Sequence, residues 1–269
     1  MADWKRRALG DLPVYQAATM AWLPNVIQGF TTRKGGTSAA PYDTLNLAGH
    51  VGDVPAHVQD NRQRLWADVG MAEHQVALAE QTHGSTVSLV TAGSLVPSPG
   101  TDALITNTRD VLLMMLYADC VPVYLLDPSG RAIGLVHSGW RGTVADIAGR
   151  TMAAMTAQFG SHPQTCLAAI GPCISGDSYE VGRDVADQFR NMPDLRAGTA
   201  VYPKSEFTGT YTLNLRQVIF SQLLGAGLLA DSIAVCDEDT FQNKRDFFSY
   251  RRDGAPSGRM AAFLGIRSS

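Results

Sequence analysis

The sequence predicts a mixed α/β (α+β) fold built as one domain, and three observations carry that prediction. Short apolar runs of strand length alternate with amphipathic stretches of helical period. Gly, Pro and Asp punctuate the boundaries between them. No internal repeat, low-complexity tract or linker divides the 269 residues, a length that one domain reaches. We therefore expect a single domain over 1–269, with residues 1–25 as its N-terminal extension.

The elements follow in order. Val26–Thr31 reads as a strand that runs into the turn Arg33-Lys34-Gly35-Gly36-Thr37. Asp53–Val69 reads as a helix, with Asp53 as N-cap and Val58, Leu65, Trp66 and Val69 on its apolar face. Strands are expected at Val76–Glu80, Thr86–Val90, Ala103–Thr106, Val111–Tyr117 and Val121–Leu126. Asp127-Pro128-Ser129-Gly130 is a turn signal, and Ala132–Val136 is the returning strand. Thr143–Phe159 predicts a helix opened by a capping box of Thr143 with Asp146 and closed by Gly160. Its stripe is Val144, Ile147, Ala148, Met152, Met155 and Phe159. A strand at Leu167–Ile170, helices near Val181–Met192 and Asn214–Gly227, and strands at Ile233–Cys236 and Met260–Ile266 complete the layout. Ala92–Thr101 (with Gly93, Pro97, Pro99 and Gly100) and Asn191–Thr210 read as surface insertions.

Composition narrows the function. At 45% hydrophobic and 17% charged the chain has material for a real core. A formal charge of −3 argues against bulk attraction to nucleic acid or anionic membrane. Lys5-Arg6-Arg7 is followed by Asp11, Pro13 and Gln16 rather than a clean apolar stretch, so no secretion signal is read. The longest apolar run, Val111–Ala118, is too short to span a bilayer. A cytoplasmic enzyme is the expectation, with its oligomeric state left open.

The four cysteines, Cys120, Cys166, Cys173 and Cys236, form no C-x-x-C pair. Cys120 follows one buried run, while His83 and His137 fall at strand ends. A Cys/His/His set suits zinc and leaves a fourth tetrahedral position for a water, which the metal acidifies. Asp119, beside Cys120, is a candidate proton-handling group. Spacing alone does not decide the matter. Cys120 also reads as a small buried hydrophobe, or as a nucleophile with His137 as its base.

The motifs in sequence add a resemblance. The chain carries Gly29-Phe30-Thr31-Thr32-Arg33-Lys34-Gly35-Gly36-Thr37-Ser38, Leu45-Asn46-Leu47, Val51-Gly52-Asp53 and Asn61-Arg62. Gln81-Thr82-His83-Gly84, Ala118-Asp119-Cys120-Val121-Pro122 and His137-Ser138-Gly139-Trp140-Arg141-Gly142-Thr143 follow. Ile170-Gly171-Pro172-Cys173-Ile174, Tyr179-Glu180-Val181-Gly182 and Phe248-Ser249-Tyr250-Arg251-Arg252-Asp253-Gly254 through Gly258-Arg259 complete the series. Over about residues 26–266 the chain resembles the laccase-domain, or multicopper polyphenol oxidoreductase (YfiH-like), family. Cys236-Asp237 departs from it, a Cys-Thr pair being commoner there. The resemblance implies a layered α/β/β/α fold and a metal on His83, Cys120 and His137. It also implies three activities: phenol oxidation, turnover of purine nucleosides, and editing of peptidoglycan precursors.

These three are unequal on physical grounds. A four-copper oxidase needs paired His-x-His motifs. The six histidines here (His50, His57, His74, His83, His137 and His162) form no such pair. Copper in the same Cys/His/His site is left as a route to weak oxidation. A zinc site suits deamination of adenosine, and phosphorolysis of adenosine, inosine or methylthioadenosine requires in addition a pocket for phosphate. Arg33, beside Gly35 and Gly36, is the expected phosphate contact, with Asn46 and Arg141 as further substrate contacts. Arg251, Arg252 and Arg259 read as a solvated basic edge, Trp140 as packing, and Cys173 as burial at a tight turn. The expectation is thus a zinc-dependent purine nucleoside phosphorylase and adenosine deaminase acting through Cys120, Asp119 and His137. An editing hydrolase that removes a mis-incorporated amino acid is the alternative.

Overall fold

The computed structural model describes residues 4–92, 97–129, 131–192, 200–205 and 209–268. Among them are fifteen strands: β1 (Trp4–Leu9), β2 (Leu12–Ala17), β3 (Val26–Thr31), β4 (Val76–Ala77), β5 (Val87–Leu89), β6 (Ala103–Thr106), β7 (Leu112–Tyr117), β8 (Val121–Asp127), β9 (Ala132–Ser138), β10 (Leu167–Ile170), β11 (Glu180–Gly182), β12 (Val201–Ser205), β13 (Thr210–Leu213), β14 (Ile233–Val235) and β15 (Met260–Ile266). Six α-helices join them: α1 (Pro55–Asp68), α2 (Trp140–Val144), α3 (Ile147–Phe159), α4 (Arg183–Arg190), α5 (Leu215–Gly225) and α6 (Tyr250–Asp253). One six-stranded sheet runs β1-β2-β3-β15-β7-β4, a second runs β14-β10-β8-β9-β6-β5, and a small third runs β11-β13-β12.

Two-residue periodicity explains the layering. In β7, Leu113, Met115 and Tyr117 meet Tyr124 and Leu126 of β8 and Leu135 of β9 in one buried cluster between the two large sheets. The alternate β7 residues, Leu112 and Met114, join Phe263 with Leu65 and Trp66 of α1 on the outer face of the first sheet. Val121, Val123 and Leu125 of β8 turn to the other side, against Met152 and Met155 of α3 and Val218 and Leu223 of α5. The result is helix, sheet, sheet, helix, as the resemblance implies. Strands β7, β8 and β9 are covered on both faces, which is why they read as continuous apolar runs rather than alternating ones.

Several boundaries differ from the sequence reading. Within the N-terminal extension, β1 and β2 pair along their length, and β2 joins β3 through Val14 with Thr31 and Tyr15 with Phe30. Lys5, Arg6 and Arg7 give this edge strand an exposed, charged look without alternation. Asp53 is not the N-cap of α1. That helix opens on Val54 and Pro55, while the Asp53 carboxylate accepts from Ser38 Oγ (2.7 Å) and Asn46 Nδ2 (2.9 Å). The helix read from Thr143 is broken into α2 and α3. The Thr143 hydroxyl donates to the Gly139 carbonyl (2.9 Å), and Asp146, at φ 54°, caps α3 by accepting from Gly149 N.

The strand read to Glu80 ends at Ala77, and Leu78–Glu80 bond instead to Ser98. Val181 lies in β11 rather than in a helix, paired with Tyr211. Of the stretch 191–210 read as an insertion, 200–205 are described and supply β12, while 193–199 and 206–208 lie outside the described residues, as do 93–96 and Gly130. Among the described residues no helix is long and apolar enough to cross a membrane.

Candidate metal centre

His83 and Cys120 both lie where the chain crosses from the first large sheet to the second. His83 falls between β4 and β5, and Cys120 falls between β7 and β8. His137 lies near the end of β9, opposite Pro122 of β8. Strand pairing therefore delivers three ligand-type side chains to one end of the sheet sandwich. Their ligand atoms lie within 4.8 Å of one another, with Cys120 Sγ 3.9 Å from His83 Nδ1. His137 is buried, Cys120 half-buried and His83 exposed, which leaves one side of the cluster open. It is the one such group of at least three His, Cys, Asp or Glu found among the described residues.

Asp102 organises this cluster. Its Oδ1 sits 2.8 Å from His137 Nδ1, and its carboxylate also accepts from the amides of Thr82 (3.2 Å), His83 (3.0 Å) and Gly84 (2.7 Å). One buried carboxylate thus orients one imidazole and pins the turn bearing the other, in which His83 adopts a φ of 59°. With Nδ1 engaged, His137 has Nε2 left for a metal. Burial works against the Asp102 anion, yet the His137 hydrogen bond and the amides prevail and bring it down to about 2. Burial also opposes ionisation of Cys120 and His137, but each holds the other's charge, so the thiol is lowered and the imidazole raised. That mutual electrostatic support suits a thiolate ligand.

A second feature tests whether the residues fit a metal. A Cβ on Gly139 would come within 3.0 Å of His83 Nδ1 and 3.2 Å of Cys120 Sγ. The cluster therefore closes over a position that only glycine leaves free. A soft thiolate with two imidazoles is a zinc-type donor set. The residues fit such an ion.

The cluster opens into a cavity of about 890 Å³, near the upper end of the usual ~300–1,000 Å³ for small-molecule sites. Asp119 and Arg141 line it, whereas Arg33 and Asn46 do not. Both Asp119 oxygens are engaged. Oδ1 accepts from Thr240 Oγ1 (2.7 Å), and Oδ2 accepts from Ser249 Oγ (3.0 Å) and the Arg251 amide (2.7 Å). Burial nonetheless raises its pKa. The Arg141 guanidinium lies 4.3 Å over the Trp140 ring, and both residues line the wall. The Arg33 guanidinium bonds to Asp43 and stacks 4.5 Å over Phe248. Asn46 holds the Ala48 carbonyl and accepts from the Arg259 amide.

The cavity wall also holds His50 and Arg62, to which the sequence reading assigns no role. Arg62, His50 and Arg259 form a cationic end of the wall, where burial followed by the Arg259 and Arg62 charges lowers the His50 pKa, and Arg259 is also within electrostatic range of Asp119 and Cys120. Arg62 Nε donates to Leu47 O (2.9 Å), and Arg259 Nη1 donates to Ser257 O and Gly258 O. Neither guanidinium has a carboxylate partner within salt-bridge distance among the described residues. Of the arginines read as a solvated edge, Arg259 is half-buried in the cavity wall, while Arg251 lines the cavity and stays exposed. Arg62 did carry a signal. It lies four residues after Val58 and three before Leu65, so a charge interrupts the apolar face of α1. Asp102 carried only its position just before β6. Cys173 is buried as expected, and its sulfur accepts from Arg216 Nε at 2.9 Å.

The model of one family, described as multi-copper polyphenol oxidoreductase laccase, matches residues 27–267. A purine nucleoside phosphorylase of Deinococcus radiodurans is 41% identical, covering 95% of this chain and 93% of that protein. The purine nucleoside phosphorylase YlmD of Geobacillus stearothermophilus is 34% identical, covering 94% and 97%. The crystal structure of a Bacillus licheniformis hypothetical protein YfiH superposes with a TM-score of 0.93 at 32% identity, covering 99% of this chain and 100% of that one.

Proposed function

The chain belongs to the multi-copper polyphenol oxidoreductase laccase family, and from that premise we propose that it is a purine nucleoside phosphorylase with a zinc ion on His83, Cys120 and His137. The observation that carries this reading is one cavity lined both by a metal-type cluster and by two guanidiniums that have no carboxylate within salt-bridge distance among the described residues. Relatives named purine nucleoside phosphorylase support it. A single cluster without a second ligand group, among the described residues, gives a four-copper oxidase nothing to build on.

The purine occupies the cluster end, the ribose the middle, and phosphate the end formed by His50, Arg62 and Arg259. A phosphate dianion there meets two charged forks whose other hydrogen bonds go to backbone carbonyls, with no carboxylate within salt-bridge distance among the described residues. The same charges favour the oxygen that attacks the anomeric carbon. Asp102 holds His137 in one tautomer and orientation. Asp119 acts as a positioning residue, tying the Cys120 segment to Thr240, Ser249 and Arg251. Bound at the cluster, the metal supplies Lewis acidity to the base and acidifies water, which extends the chemistry to deamination of adenosine.

Chromatography of products from adenosine and inosine, with and without phosphate, tests the reading on metal-quantified protein. Free base and ribose 1-phosphate formed only with phosphate are expected, with inosine appearing from adenosine in either case. Stoichiometric metal with neither product would overturn it.

A further inference from the structure

The cavity holds a hydroxyl that neither of these two ends uses. Tyr179 lines the cavity, is half-buried, and its phenol makes no hydrogen bond to any described residue. Its backbone is fixed on both sides, the amide donating to Ser175 O (3.0 Å) and the carbonyl accepting from Leu213 N (3.0 Å). The ring is fixed as well. Arg251 Cζ lies 4.9 Å from its centroid while the same guanidinium donates to the Glu180 carbonyl at 2.6 Å. The Arg251 amide in turn donates to Asp119, the residue next to Cys120. A continuous set of contacts therefore runs from the cluster to this ring.

The cavity has a second phenol, that of Tyr250, but Tyr250 is exposed and lies 5.6 Å from the Arg259 guanidinium, at the cationic end. Tyr179 is half-buried rather than exposed, and it lies within electrostatic range of Cys120, Asp119 and Arg141. Burial pushes its phenol up to about 12. At neutral pH it is a donor that keeps its proton.

We propose that Tyr179 is a catalytic residue that donates a hydrogen bond to the imidazole-ring nitrogen of the departing purine. The inference rests on the nucleoside phosphorylase reading above. In that reaction the glycosidic carbon–nitrogen bond breaks and its electron pair passes to the base. A phosphate oxygen forms the new bond to the anomeric carbon, and the proton carried in by phosphate ends on the purine. Tyr179 gains and loses no proton. It stabilises the negative charge that spreads over the base as the bond breaks, a charge that a fixed donor favours more in the transition state than in bound substrate.

The test compares wild type with Tyr179→Phe on inosine and on inosine methylated at that imidazole nitrogen. The methylated base already carries a positive charge and offers no acceptor there. With inosine, kcat is expected to fall by about 100-fold, as loss of one donor to a developing charge costs. The methylated nucleoside, the KM for phosphate, the metal content and the melting temperature should stay as in wild type. Equal losses on both nucleosides would assign Tyr179 a structural role and overturn the proposal, as would no loss on either. A wild type that cleaves neither nucleoside overturns the phosphorylase reading itself, and this inference with it.

Discussion

Two parts of the cavity wall are held in different ways. At the cluster end, buried strand ends bring three ligand-type side chains within 4.8 Å, a single carboxylate fixes His137 and the His83 turn, and Gly139 closes against the sulfur and an imidazole. The Asp102 carboxylate alone takes contacts from His137, Thr82, His83 and Gly84. At the cationic end, His50 comes from a loop, Arg62 from α1 and Arg259 from the segment before β15, and each guanidinium hangs from backbone carbonyls. The two arginines meet through the Leu47 backbone, whose carbonyl accepts from Arg62 Nε and whose amide donates to the Arg259 carbonyl. One end is a matter of geometry, where a single added or lost atom disrupts the whole. The other is a matter of charge, which tolerates displacement and responds to salt.

Substitutions separate the two parts of the wall. The largest effect belongs to Cys120→Ala, which removes a ligand. Metal stoichiometry should fall to near zero, with turnover lost by more than the ~100-fold that outer partners of a metal cost, while the circular-dichroism spectrum keeps its folded shape. Gly139→Ala tests the close approach. Its methyl group would crowd His83 and Cys120, so elemental analysis should find metal well below one per chain. Retained metal would show that the cluster can relax.

Asp102→Asn keeps size but loses charge beside His137. Metal affinity, read by competition with a chelator, should weaken by roughly 10- to 100-fold. At the cationic end, Arg62→Gln should leave metal content untouched and raise the KM for phosphate. One charge-assisted contact is worth ~1.5–3 kcal/mol, or roughly 10- to 100-fold, and the loss should shrink as ionic strength rises. The smallest effect is expected for Arg33→Gln. It disconnects Asp43 and the Phe248 ring, so thermal melting should register a loss of about 1 kcal/mol with the phosphate KM unchanged.

The same contrast governs what the sequence made legible. Strand ends are written locally: β6, β10 and β15 carry the bounds read from their apolar runs, and His137 and Cys120 fall beside such runs. The cationic end depends on which loops meet, and no local pattern encodes that. Arg33, in a glycine-rich turn, looked the better anion contact, yet its side chain stacks on Phe248 from more than 200 residues away in sequence. Asp102 had no neighbour in sequence to betray it, because its partners Thr82, His83 and His137 arrive through strand pairing. The β1–β2 hairpin escaped notice since an edge strand with charge on its open side has no alternation to read.

Diffraction at the metal absorption edge, on crystals grown with zinc, phosphate and a purine, tests this reading of the cavity most directly. One anomalous peak is expected among His83, Cys120 and His137, with phosphate against Arg62 and Arg259 and the base beside the cluster. A metal bound elsewhere, or phosphate seated on Arg33, would contradict it.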